Sequence, residues 1–196
     1  MLDIKKQLEE AKSNKKAVFL KQYVDPKIDW NYIVEEINIG LSTKNIEDLG
    51  DTYIWKREQD IMMKDLFYIQ LMNPFPTRNS VINNLADEFS KIFWLNRNNY
   101  DASSIQYFVN LVPKNKNLTK GPNSPSHCDE WDVLFLQLIG SSTWNIYENQ
   151  NDATPVQSEI IIPGDIILVP KGVYHEIYAH EPRAGISIGY TPRVDL

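Results

Sequence analysis

The chain has 196 residues, 42% hydrophobic and 23% charged, with a formal net charge of -6 at pH 7, which suits one core and falls short of two ordinary domains. No apolar run approaches the roughly 20 residues of a membrane span, and an acidic balance argues against broad binding to a nucleic-acid backbone, which needs surplus Lys and Arg. The single cysteine, Cys128, excludes a disulfide framework and a thiolate zinc cluster and fits a reducing compartment.

The start, "MLDIKKQLEEAKSNKK", is charged throughout and lacks the apolar segment of a secretory signal, so a cytoplasmic protein without a membrane partner is expected. Leu2, Ile4, Leu8 and Ala11 keep helical spacing, Asp29 of "DWNYIVEEI" offers a helix start, and Val81, Ile82, Leu85, Phe89, Ile92 and Phe93 trace one apolar helix face. "AVFLKQYV" and "LFYIQLM" read as short strands between them, the second closed by "NPFP". The lysines between Lys5 and Lys21, and Lys114, Lys116 and Lys120, read as solvated surface.

From Ser104 onward β-runs alternate with turn residues: "SIQYFVNLVP", "DVLFLQLIG", "TWNIYEN", "SEIII", "DIILVP", "VYHEIYA" and "RAGISIGY". The expected organisation is a single domain over residues 1–196, with a helical and strand support region at 1–103 and an antiparallel sandwich or barrel at 104–196. "IIPGDII" places Pro163 and Gly164 where a type II turn wants them, and "VPKGVYH" makes a similar break. The one long polar connection, "LVPKNKNLTKGPNSPS" at 111–126, is placed to act as a flap.

His127 and Asp129 stand two residues apart ahead of the apolar run, and a regular strand would turn both to one face with Cys128 on the other. His175 follows 48 residues later, also at a strand start after a turn. Two imidazoles and a carboxylate on one face of a metal leave open positions, an arrangement suited to non-haem Fe(II). His180, at an odd offset from His175, is expected to point away and not to be a ligand. Singly, each of these residues is more ordinarily packing or surface; their common context in an all-β half is what groups them.

The stretches "HCDEWDVLFLQLIGSSTWNIY" and "IIIPGDIILVPKGVYHEIY" resemble the metal-binding core of the cupin-fold Fe(II)/2-oxoglutarate oxygenases, especially JmjC hydroxylases and ribosomal-protein oxygenases. The shared order is HxD, an apolar strand ending in Gly, a Trp-containing strand, PGD, a PxG turn and the distal His, over about 70 residues from Ser124 to Tyr190. The resemblance implies a mainly β chain with N-terminal helices around a double-stranded β-helix (cupin, jelly-roll) core. It implies Fe(II) on His127, Asp129 and His175, with 2-oxoglutarate and O2 as co-substrates and succinate and CO2 released. Many relatives place Lys or Arg two residues after the strand-ending Gly to hold the distal carboxylate of 2-oxoglutarate, and here that position is Ser142. Arg183, leading the last strand eight residues after His175, is similar to the arginine-led final strand of the prolyl-hydroxylase branch and is the expected replacement.

Ser124 and Tyr68 are expected as supporting donors to the co-substrate. Asn110 and Gln137 are amides within apolar strands; if buried they need partners, which co-substrate or metal-bound water would supply, and if outward-facing they need none. Trp131 and Asp132 are expected near the barrel mouth on the substrate side, Trp144 inside as packing, and Lys171 in solvent.

Three functions compete on this reading: a 2-oxoglutarate-dependent hydroxylase, a cupin metalloenzyme without 2-oxoglutarate (an isomerase or direct dioxygenase), and a non-catalytic β-barrel binding module. The first is preferred, with a peptide or protein side chain, a free amino acid or a small metabolite as substrate. The chain ends 21 residues after His175, so the long C-terminal regions of the ribosomal-protein oxygenases are not expected. Oligomeric state is left open.

Overall fold

The computed structural model describes residues 2–42, 67–73, 79–93, 100–111 and 124–192. Most of the polar connection at 111–126, including Lys114, Lys116 and Lys120, lies outside them. Three helices are described, α1 (Leu2–Ser13), α2 (Trp30–Ser42) and α3 (Ser80–Phe93). Two carry side-chain caps: Asp29 Oδ1 accepts from the amide of Tyr32 at 3.0 Å, and Asn79 Oδ1 accepts from those of Val81 and Ile82 at 2.9 and 3.2 Å. Among the described residues no helix is long and apolar enough to cross a membrane.

Ten strands follow: β1 (Val18–Leu20), β2 (Phe67–Asn73), β3 (Tyr100–Leu111), β4 (Ser124–His127), β5 (Asp132–Ile139), β6 (Ser142–Tyr147), β7 (Gln157–Ile161), β8 (Ile166–Val169), β9 (Tyr174–Ala179) and β10 (Arg183–Pro192). They form two antiparallel sheets, ordered β1-β8-β5-β10-β3-β2 and β4-β9-β6-β7. This is the expected jelly-roll, with one difference: β1 and β2, from the region expected only to support it, are hydrogen-bonded strands of the larger sheet.

The near-continuous apolar run of β5 has a simple cause. Leu134, Leu136 and Leu138 join Ile166, Leu168, Ile186 and Ile188 on the face covered by Leu8 and Ala11 of α1, Ile33 of α2 and Ile82 and Leu85 of α3. Val133 and Phe135 face the other way, into a second core with Ile167, Val169, Trp144, Ile146, Ile161 and Ile177 between the sheets. A strand covered on both faces shows no alternation.

Turn chemistry holds the layers in place. Asp165 donates its amide to Ile162 O at 2.9 Å across Pro163 and Gly164, and Gly164 has φ +93°, so the PG turn forms as its residues dictate. The buried Asp165 carboxylate accepts from the amides of Gln22 at 2.8 Å and Ile162 at 3.1 Å, tying the segment after β1 to this turn. Gly140, at φ +70°, lies so close to β10 that a Cβ there would stand 2.4 Å from Pro182 O. That close approach delivers the start of β6 to the start of β10.

Candidate metal centre

His127 ends β4 and pairs with His175 of β9 in the antiparallel register, which puts the two imidazoles 4.3 Å apart, centroid to centroid. Asp129 is not on a strand: β4 stops at His127, and the carboxylate comes from the loop before β5. The expected strand geometry of the pair is thus replaced by a strand end and a loop, held by the Gly172 amide donating to Asp129 O at 3.0 Å. The outcome is convergence all the same. One ligand atom from each of His127, Asp129 and His175 lies within 4.8 Å of the others, so the three could hold one metal ion.

Electrostatics suit that role. His175 is buried, and burial, reinforced by nearby His127, lowers its pKa to about 3 against a weaker upward pull from its bond to the Val173 carbonyl. Its 3.7 Å separation from Asp129 is therefore no ion pair at neutral pH but a neutral imidazole beside a carboxyl group. Nδ1 lies 3.1 Å from Val173 O; a carbonyl only accepts, so Nδ1 carries the proton and Nε2 keeps its lone pair toward Asp129. Burial raises the Asp129 pKa, and His127 partly offsets this. A carboxylate that burial disfavours regains its charge when a cation sits beside it.

A second polar group lies deeper in the barrel. Arg183, 1% exposed, donates from Nη1 to Ser142 Oγ at 3.3 Å, and Ser142 in turn donates to Gln137 Oε1 at 3.0 Å. The Gln137 amide is directed elsewhere than a ligand: Nε2 donates to Ile139 O at 2.7 Å and Ala184 O at 3.3 Å, where the β5–β10 register slips. Its expected contact with the co-substrate is thus replaced by a structural one that fixes Ser142. The Arg183 guanidinium carbon lies 5.7 Å from the centroid of Phe135. Phe135 packs on Trp144 at 4.9 Å, and Trp144 stacks on His175 at 5.5 Å with 16° between the planes. A file of rings therefore links the triad to the arginine.

Other expectations meet the structure variously. The register aligns Tyr68 with Asn110 and Asn110 with Arg183 across β2, β3 and β10, and sets Ser124 opposite Ile177; the side chains of Tyr68, Asn110 and Ser124 lie outside the described residues. Trp131 packs half-buried against the inner core. Asp132 is buried and committed: Oδ2 takes Lys12 Nζ at 2.7 Å and Oδ1 the Lys171 amide at 2.8 Å. Its expected role toward substrate gives way to one of tying α1 and the turn before β9 to β5. His180 is exposed, with Nε2 2.6 Å from Thr143 Oγ1, away from the triad. Lys171 is exposed. Phe135 was missed by sequence reasoning, since nothing in an apolar run marks which ring will lie beneath an arginine.

The family model described as the JmjC domain matches residues 89–194. Ribosomal oxygenase 2 of Mus musculus is 28% identical over 85 residues, covering 36% of this chain and 18% of the mouse protein, so the chain spans less than a fifth of that relative. The Escherichia coli ribosomal oxygenase YcfD superposes with a TM-score of 0.55 at 16% identity, covering 92% of this chain and 49% of that one. The same protein in complex with cobalt and 2-oxoglutarate gives 0.53 at 18% identity, covering 96% and 52%. An oxidoreductase of the 2OG-Fe(II) oxygenase family from Burkholderia pseudomallei gives 0.55 at 15% identity, covering 97% and 89%.

Proposed function

The chain belongs to the JmjC domain family, and on that premise we propose that it is an Fe(II)- and 2-oxoglutarate-dependent oxygenase of the cytoplasm. Its proposed reaction is hydroxylation of an unactivated C–H bond, first of a peptide or protein side chain and otherwise of a free amino acid or small metabolite, with release of succinate and CO2. The observation that carries the proposal is the pairing of a two-histidine, one-carboxylate cluster with a buried arginine inside the same barrel.

Each residue present fits the groups that this reading requires. His127, Asp129 and His175 supply two imidazole nitrogens and one carboxylate, the donor set that suits Fe(II) while leaving positions for other ligands. Bound iron would supply the O2 activation that couples loss of CO2 from 2-oxoglutarate to insertion of one oxygen atom into substrate. Arg183 offers the distal carboxylate a planar, two-pronged cation in a site where an unpaired anion would be costly. On β9 the His175 rung and the Ala179 rung, which pairs with Ser142, are four residues apart, roughly 13 Å of strand. A short molecule with a chelating end and an anionic end would span the interval between the two rungs. Phe135, Ile146 and Ile177 keep that interval apolar and exclude water.

Ser142 favoured a cupin enzyme without 2-oxoglutarate as long as no base accompanied it. With Arg183 bonded to Ser142, that argument loses its ground. The likeness to proteins named ribosomal oxygenases supports a macromolecular target, with a protein side chain as first choice.

The test is to load the protein anaerobically with Fe(II), measure bound iron, then follow succinate formed from 2-oxoglutarate on admitting O2. Iron bound with succinate formed is expected; iron bound without any 2-oxoglutarate turnover would sink the proposal. Gain of one oxygen by mass spectrometry, in peptides against free amino acids, separates the substrate classes.

A further inference from the structure

We propose that the indole N–H of Trp144 donates a hydrogen bond to a carboxylate oxygen of the bound co-substrate, a neutral anchor between the metal cluster and Arg183; this rests on the 2-oxoglutarate reading above. Trp144 is 2% exposed, and among the described residues its Nε1 has no hydrogen-bond partner. Buried tryptophans ordinarily satisfy this donor, because an N–H stripped of water and given nothing in return destabilises the fold. Nothing in the packing asks for the nitrogen. The ring touches Phe135 and His175 and sits within an apolar cluster, surroundings that a phenylalanine would fill without a polar atom.

Position supplies the reason. On β6, Ser142, Trp144 and Ile146 are buried in alternation with Thr143 and Asn145. Ser142 contacts Arg183, Ile146 pairs with His175, and Trp144 pairs with Ile177 between them. Trp144 thus occupies the middle rung of the interval that a metal-chelating dicarboxylate must span. Its ring stacks on a candidate metal ligand and packs, tilted by 53°, against the phenylalanine beneath the guanidinium. A donor placed there acquires an acceptor when an anion enters the barrel.

The experiment uses the full chain loaded with redox-silent Zn(II) and labelled with 15N at tryptophan. The Trp144 indole resonance is identified by its contacts to the His175 and Phe135 rings and by its loss in Trp144→Phe, and 2-oxoglutarate is then titrated in. The expected result is a downfield shift of the Trp144 indole proton that saturates with binding. In parallel, Trp144→Phe should bind 2-oxoglutarate roughly 10- to 150-fold more weakly, the loss of one hydrogen bond to a charged group, with Zn(II) affinity unchanged. Wild-type protein that binds 2-oxoglutarate with an unmoved Trp144 resonance overturns this inference and leaves the co-substrate reading intact. Wild-type protein that does not bind 2-oxoglutarate overturns both. Should Trp144→Phe fail to fold, the wild-type titration decides alone, because ring contacts assign the resonance without the variant.

Discussion

Arg183 Nη1 and Ser142 Oγ meet at 3.3 Å, at the start of β10 and the start of β6, brought together by the close approach of Gly140 to Pro182. The position where related sequences carry a base thus carries a hydroxyl that holds a base from another strand. Gln137 completes the arrangement, since its Oε1 accepts from Ser142 and leaves the serine lone pairs to the guanidinium.

Arg183→Ala is expected to weaken 2-oxoglutarate binding roughly 10- to 100-fold, the loss of charge-assisted hydrogen bonds in a buried site. Metal affinity should hold, because Arg183 is not among the clustered ligands. Equilibrium dialysis of 2-oxoglutarate with Zn(II)-loaded protein checks this; unchanged affinity removes Arg183 from the role.

Gln137→Leu leaves Ile139 O and Ala184 O without the Gln137 donor, at a cost of about 1–3 kcal/mol. It also frees Ser142 to rotate. The expected outcome is a lower Tm together with a raised KM for 2-oxoglutarate at nearly unchanged kcat. A fall in Tm with KM unmoved would show that Gln137 stabilises the strand junction without positioning Arg183.

Asp129→Asn separates function from stability. Burial raises the Asp129 pKa, so its charge opposes the metal-free fold, and the variant's apo Tm should match or exceed that of the wild type. Metal binding should fall by a factor on the order of 100 or more, because a neutral amide replaces the only carboxylate of the cluster. Thermal denaturation with and without metal checks both halves.

Acidification should destabilise the metal-free protein between pH 6.5 and about 3. His175 titrates at 6.5 when unfolded and at about 3 in the fold. Within that window the unfolded chain binds more protons, so stability is full above the window and lost as pH falls through it, by a few kcal/mol in order of magnitude. Asp129, raised above 3.8, acts in the opposite sense and favours the fold when protonated. Tm against pH for wild type and His175→Phe reads the histidine contribution, which the variant should lack.

Asp132→Ala tests a reassigned residue. With Lys12 and the Lys171 amide both on its carboxylate, the variant should lose about 1–3 kcal/mol of stability. Its KM for 2-oxoglutarate should not change. Lys12 is 40% exposed, so it regains water and the cost stays moderate.

Much of the fold is legible in the sequence. The β-runs, the PG turn and the capped helix start at Asp29 follow from local rules: alternation or burial of apolar residues, fixed φ at Pro and permitted positive φ at Gly, and a side-chain acceptor at a helix N-terminus. The grouping of His127, Asp129 and His175 is legible because the first two stand just ahead of the apolar run of β5 and the third opens β9 after a turn, and a sandwich brings such strand ends together. The family match begins at residue 89, upstream of the recognisable motifs.

What the sequence by itself determined is the chemistry on offer: a ligand set, a missing base beside Gly140, and a candidate replacement eight residues after His175. Tertiary structure decided how it is used. Cross-strand register and the approach of two turns put Arg183 against Ser142, turned the Gln137 amide onto backbone carbonyls, and bound Asp132 to Lys12, 120 residues away. Partner choices of this kind are made between segments far apart in the chain, where local propensity carries no information and only the satisfaction of buried polar groups selects the pairing.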